Sequence, residues 1–303
     1  MRVVALAGGT GSAKLLRGLS KLPIDLTVVG NVGDNVWMYG TYVCPDVDIA
    51  CYTLAGIASS RGWGIEGDTF NTMSSLSRLG FETWFRLGDK DMATCLARTE
   101  MIRKGSTLTE ATDMIRARLG VKHTVLPVTD DHLETKIETG NGRIHLQEFW
   151  VRDKGRPRVK KIIYEGSGSA KASEEVVLAL NEAEKVVVCP ANPITSIGPM
   201  LAAGGISQSL VHTSAKVIAL SPMTGKAPFS GPALKLMKAS MIRGDSVGVA
   251  ELYSNFLDAI MISSNDAVMK VEVESLGIEC GLSDIRMGNA ADEIRLAKEI
   301  LAI

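Results

Sequence analysis

The sequence predicts a doubly wound α/β fold: a mostly parallel sheet with helices on both faces and a smaller α+β insertion. Three observations carry that reading. Short, almost continuous apolar runs rich in β-branched residues recur along the chain, as strands covered on both faces require. Stretches of helical period separate them, the grammar of strand–helix–strand units. The texture changes between about residues 85 and 165, where a hairpin signal and further strands interrupt it. Residues 1–303 are therefore read as one large α/β domain with the insertion inside it.

Taken in order, Arg2–Ala7 (RVVALA) is an apolar run and a candidate buried strand. Residues 13–21 then place Leu15, Leu16 and Leu19 on one helical face, and Asp25–Gly30 (DLTVVG) repeats the strand pattern. Residues 49–58 and 107–119 look helical, Gly140-Asn141-Gly142 marks a hairpin, and residues 145–151 and 159–164 look like strands. Three strand-then-loop units follow, at residues 185–189, 216–220 and 259–263. Residues 232–240 read as a helix after the second of these, and an amphipathic helix at residues 290–301 closes the series.

Composition narrows the class. Hydrophobic residues make up 46% and charged residues 22%, ordinary values for a soluble globular protein. With 33 basic and 34 acidic residues the net charge is −1, which lacks the positive field that nucleic-acid binding needs. The densest basic run, residues 154–161, is broken by Gly155 and Pro157 and reads as a solvated turn and strand edge. No apolar stretch reaches the roughly 18 residues of a membrane span, and only five apolar residues separate Arg2 from Gly8, too few for a signal peptide. The cysteines (Cys44, Cys51, Cys95, Cys189, Cys280) are odd in number and without a C-x-x-C pair, so buried thiols in a reducing, cytoplasmic setting are expected. Scattered histidines and the lack of a G-x-S-x-G elbow argue against zinc and serine-hydrolase chemistry.

In an open α/β sheet, ligands bind beyond the carboxyl ends of the strands, so the loops there matter most. The first, Gly8-Gly9-Thr10-Gly11 followed by Lys14, fits neither the dinucleotide fingerprint nor the Walker pattern. It keeps their physics, since glycines let backbone N–H groups approach an anion at a helix start and Lys14 adds charge. The second loop, residues 30–56, carries Asn31 and then Asp34, Asp46 and Asp48. Asp46 and Asp48 flank one residue, so in extended chain they project together and suit a cation such as magnesium; capping of the helix that follows is the equal alternative. The third, CPANPITSIGPM, offers Asn192 and Pro193 in a turn, then Thr195 and Ser196 at cap positions and Gly198-Pro199 in a first helical turn. The fourth, SPMTGKAPFSGPALK, presents Ser221, Thr224, Lys226 and Ser230.

Together these loops resemble the 2-phospho-L-lactate transferase family. The segments GGTGSAKLLRGL, GNVGDN, CPDVDIACYTLAG, WFRLGDKDMATCLARTEMIRKGSTLTEAT, CPANPITSIGPML, SPMTGKAPFSGPA and GVAELY carry the likeness in the same order over nearly the whole chain. The resemblance implies a cytoplasmic, homodimeric, magnesium-dependent enzyme of coenzyme F420 formation. It would move phospholactate from lactyl-2-diphospho-5′-guanosine to the 8-hydroxy-5-deazaflavin riboside Fo, giving an F420-0 product and GMP. It further implies that Gly8, Gly9, Thr10, Gly11, Lys14 and Asn31 hold the diphosphate. Asn192, Pro193, Ser196, Ser221, Thr224 and Lys226 would take the nucleotide side. Asp48, Arg86, Asp89 and Lys90 would face the deazaflavin, with Asp34, Asp46 and Asp48 for the metal. Two departures stand out: Asn35 where an acid is usual, and one acid rather than two in Ser264-Asn265-Asp266.

Under this reading a ribityl hydroxyl attacks the lactate-bearing phosphorus, Lys14 and magnesium neutralise the departing GMP, and Asp48 is the candidate base. A phosphoenolpyruvate-type donor would present a similar carboxylate and diphosphate. A related family of nucleotide-sugar-binding regulators shares the glycine loop, and the acceptor-side motifs CPDVD and RLGDKDMA are what distinguish the transferase. A nicotinamide dehydrogenase is disfavoured by Lys14 at the third glycine position and Asn31 at the ribose position.

Overall fold

Buried β-branched strands need neighbours on both edges, and the apolar runs find them in one parallel sheet. The computed structural model describes residues 1–60, 62–225, 227–228 and 232–303. The main strands are β1 (Arg2–Ala7), β2 (Asp25–Gly30), β5 (Thr124–Pro127), β9 (Lys185–Val188), β10 (Lys216–Leu220), β13 (Ala259–Ser263) and β14 (Glu279–Ser283). Smaller pieces are a hairpin, β3 (Val36–Met38) with β4 (Thr41–Val43), an antiparallel sheet of β6 (Glu134–Thr139), β7 (Gly142–His145) and β8 (Lys161–Glu165), and the short pair β11 (Met223–Thr224) and β12 (Ala227–Pro228).

Among the described residues the main sheet has seven strands in the order 14-13-10-9-1-2-5, every pair parallel. From β1 the chain builds outward to β2 and β5, then returns to the other side of β1 with β9. That reversal makes the gap between the carboxyl ends of β1 and β9 the place where such a sheet receives a ligand. The two strands are in register from Val3 opposite Lys185 to Leu6 opposite Val188, so their loops leave the sheet side by side. Gly11 lets those loops touch, because a Cβ there would lie 2.2 Å from the Pro190 carbonyl oxygen.

The glycine loop runs directly into helix α1 (Gly9–Leu19), which buries Leu15, Leu16 and Leu19. The last helix, Ala290–Ala302, lies so close across α1 that a Cβ on Gly18 would stand 2.1 Å from the Glu293 carbonyl oxygen. Arg17 and the nearly buried Glu293 pair across the same crossing. Beneath it one large core of valine, leucine and isoleucine runs along the sheet.

Three sequence expectations change, and two helices appear where none was expected. Strand β5 lies inside residues 85–165 yet pairs with β2 at the edge of the main sheet, so the small antiparallel sheet of the insertion begins after that edge strand. Residues 145–151 do not continue as a strand. After His145 the chain coils into a π-helical turn, Glu148–Arg152, where Arg152 reaches back to Glu148 and Phe149 fills the core. Asp46 and Asp48 lie within helix α2 (Pro45–Leu54), so helical spacing turns them to different sides. The segment before β5 carries helices α3 (Asn71–Arg78), α4 (Asp89–Arg103) and α5 (Leu108–Arg118), of which α3 and α4 had no sequence expectation.

Candidate active site

The loops after β1 and β9, the start of α2 and the segment before α4 enclose a cavity of about 570 Å³. At one end lies the glycine loop. Gly8 and Ser12 close a tight turn, the Ser12 hydroxyl donating to the Gly8 carbonyl at 2.8 Å. The Gly9 N–H donates to Asp46 Oδ1 at 2.7 Å, while the N–H groups of Thr10 and Gly11, in the first turn of α1, find no acceptor among the described residues. Opposite, Asn192 Oδ1 caps the turn Pro193–Ile197 by accepting from Ile194 and Thr195, and Ser196 sits against Gly8.

Two buried carboxylates underlie this end. Asp46 Oδ2 accepts from Asn31 Nδ2 at 2.9 Å, and Asp34 comes within hydrogen-bonding reach of Asp46. Close carboxylates in a buried site cannot both ionise cheaply. Burial pushes Asp46 up to about 6, against the pull of Asn31 and the Gly9 N–H. It pushes Asp34 well above the usual carboxylate range, and the Asp46 charge adds to that. Asp34 Oδ1 is buried and accepts no hydrogen bond, which leaves an oxygen that a hard cation would satisfy in place of the shared proton.

The other end is walled by Trp63, Phe70, Trp84, Phe85 and Trp150, with Arg86 stacked over Phe70 at 4.4 Å. This wall stands on its own small core of Val43, Met73, Leu87, Met92 and Cys95. Three more acids face the cavity here: Asp48, Asp68 and Asp91. Both oxygens of Asp48 accept from Arg98, which is 1% exposed and also donates to the Tyr42 carbonyl. Burial pushes the Asp48 carboxyl up and Arg98 pulls it back. Asp91 Oδ1 accepts from the Tyr52 hydroxyl at 2.7 Å.

Of the residues singled out by sequence, Gly8, Gly9, Thr10, Gly11, Asp34, Asp46, Asp48, Arg86, Asn192 and Ser196 line this one cavity. Others do not. Lys14 lies on the face of α1 turned to the last helix, where its ammonium donates to the Met287 carbonyl at 2.8 Å. Asp89 caps α3, accepting from Thr69, Asn71 and Thr72, and these bonds hold its carboxyl far below the usual range. Lys90 is exposed and points back toward the Gly67 carbonyl. Asn31, Pro193 and Ser221 are buried behind the walls, Asn31 bracing Asp46 and the Thr195 carbonyl and Ser221 sharing a hydrogen bond with Ser246. Thr224 belongs to β11 outside the cavity, and Lys226 and Ser230 lie outside the described residues. Asp48 keeps its place, with both oxygens accepting from Arg98.

Sequence reasoning missed Tyr52, Asp68, Asp91, Arg98 and the two phenylalanines of the wall, Phe70 and Phe85. A signal existed for part of it: Asp91, Cys95, Arg98 and Thr99 recur at helical spacing, a polar stripe on the side of α4 that faces inward.

Comparison with known proteins decides the family. The family described as 2-phospho-L-lactate transferase CofD matches residues 3–280. The chain belongs to it. Relatives named 2-phospho-L-lactate transferase run the full length: one from Methanopyrus kandleri is 41% identical, covering 100% of this chain and 97% of its own. One from Methanosarcina mazei is 38% identical over 99% of both chains. The 2-phospho-L-lactate transferase family is one of enzymes, and this chain is an enzyme of that type. A solved member of the UPF0052 family from Bacillus halodurans shares the fold, with a TM-score of 0.66 at 17% identity over 99% of this chain and 98% of that one. Among the described residues no helix is long and apolar enough to cross a membrane.

Proposed function

We propose that this enzyme transfers a 2-phospho-L-lactyl group from lactyl-2-diphospho-5′-guanosine to the ribityl hydroxyl of the deazaflavin Fo, releasing GMP in the formation of coenzyme F420. The observation that carries the reading is the union, in one cavity, of a backbone N–H cradle and an aromatic wall. Orphan N–H groups at a helix start suit a diphosphate. A planar tricycle suits flat aromatic side chains with an arginine beside them.

Asp34 and Asp46 are the residues that would hold magnesium, through the unsatisfied Asp34 oxygen and the shared carboxylate pair. When bound, the ion supplies neutralisation of diphosphate charge. The chain's own part is positioning. The Thr10 and Gly11 N–H groups orient the donor, and Asn192 and Ser196 flank the nucleotide side. Arg86 and the tryptophans fix the acceptor so that its hydroxyl meets the phosphorus. With Lys14 turned away, charge at the donor falls to backbone dipoles and the metal.

The test is GMP release from purified protein with magnesium, Fo and lactyl-diphosphoguanosine, with and without Fo. Release that depends on Fo supports the transfer. Tight nucleotide binding without release would overturn it and make the protein a nucleotide-binding module.

A further inference from the structure

Five carboxylates line the cavity, and their hydrogen bonds separate their roles. Asp34 and Asp46 lie within hydrogen-bonding reach of each other at the donor end. Asp48 gives both oxygens to Arg98. Asp68 is engaged in backbone capping, Oδ1 accepting from the N–H of Thr69 and Lys90 and Oδ2 from that of Asp91. Asp91 differs. The Tyr52 hydroxyl fixes its Oδ1, and its Oδ2 accepts no hydrogen bond among the described residues.

We propose that Asp91 is the general base of the transfer, held in orientation by the Tyr52 hydroxyl. This rests on the transferase reading above. The acceptor hydroxyl oxygen forms its bond to the lactate-bearing phosphorus as the bond from that phosphorus to the bridging oxygen breaks. GMP leaves with the electron pair. The hydroxyl proton passes to Asp91 Oδ2 and from there to water, so the step needs no other reactant.

The surroundings suit a base working near neutrality. Burial and the facing Asp48 charge push Asp91 up to about 7; Asp68 adds to this, while Tyr52 and Arg98 oppose it. Cys95, one turn along α4, stays a neutral thiol because burial pushes it up.

The experiment is the pH profile of Fo-dependent GMP release for wild type, Asp91→Asn and Tyr52→Phe, with Fo affinity measured separately by deazaflavin fluorescence. Wild type should lose activity as pH falls through about 7. Asp91→Asn should lower kcat by about a hundredfold or more and abolish that acid limb, while the Kd for Fo changes by less than about threefold. Tyr52→Phe removes a bond to the charged form, so its acid limb should move up by about half a unit. Its rate on the alkaline plateau should fall by about threefold to tenfold, because the base remains but the bond that orients it is lost. An Asp91→Asn enzyme with near-normal kcat, or one that keeps the acid limb, overturns the proposal. If Asp91→Asn does not fold, an unmoved limb in Tyr52→Phe does so alone. Wild type without Fo-dependent release would sink the transferase reading itself, a different result from an active wild type with an active variant.

Discussion

The two ends of the cavity are built in opposite ways. The glycine-loop end, the donor end of the proposed reading, sits on strand termini of the main sheet, above the large core, and it presents backbone. The aromatic end, the acceptor end of the proposed reading, stands on five buried side chains outside the main sheet, and it presents rings and charges. Backbone at strand ends is fixed by the fold and tolerates change only where side chains do not intrude. A wall of side chains on a small core can be re-cut without disturbing the sheet. The contrast teaches where precision is stored: in the contact of two loops at one end, and in one buried ion pair at the other.

The largest effect is expected at that ion pair. Arg98→Met leaves the Asp48 carboxylate buried without a partner, and breaking such a pair costs about 3–5 kcal/mol. Urea unfolding would measure it, and Asp48→Leu combined with Arg98→Met should recover much of the loss. A single variant as stable as wild type would mean that the acceptor end does not hang on this contact.

Next comes the loop contact. Gly11→Ala must push Pro190 away, and a displacement of that kind is expected to cost about a hundredfold in kcat/KM. Fo affinity should stay near normal, since the acceptor wall does not rest on it. Equal losses at both ends would erase the distinction.

Asp34→Asn should act in the other direction on stability. A carboxyl raised by the fold contributes stability that is present below its unfolded pKa, near 4, and lost as pH rises through the folded value. Asp34 stands well above the usual range and Asp46 at about 6, so wild type should weaken from acid toward pH 8 in the absence of metal. The amide removes one of the two charges, so Tm at pH 8 should rise and its decline with pH should flatten, while magnesium dependence is lost. A steeper decline would refute the shared-proton account.

The smallest effect is at Asp89. Asp89→Ala removes the acceptor at the start of α3 and should lower stability only slightly, with KM for Fo unchanged. Arg86→Ala, by contrast, should raise that KM. Reversed outcomes would return Asp89 to the acceptor surface.

How much of this the sequence carries follows the same division. The strands Arg2–Ala7, Asp25–Gly30, Lys216–Leu220 and Ala259–Ser263 were legible because burial on both faces demands unbroken apolar runs. The glycine loop was legible because a backbone site leaves its mark as missing side chains. The aromatic wall was legible only as scattered tryptophans, because its parts come from residues 63 to 150 and only tertiary packing brings them together. Lys14 and Asp89 misled for one reason: a charged residue beside a motif says nothing about which way its side chain turns. Lys14 turns to the Met287 carbonyl, and Asp89 turns to a helix start.

The crossing of α1 and the last helix also sets an order of assembly. Helix α1 follows the glycine loop directly and leaves the ribosome before most of the sheet. The helix that lies across it, with Gly18 against the Glu293 carbonyl and Arg17 against the Glu293 carboxylate, emerges only after every strand of the sheet. Strand β1 likewise waits for β9 before its second edge is covered. A nascent chain therefore makes the glycine loop long before it makes the helix that packs across α1.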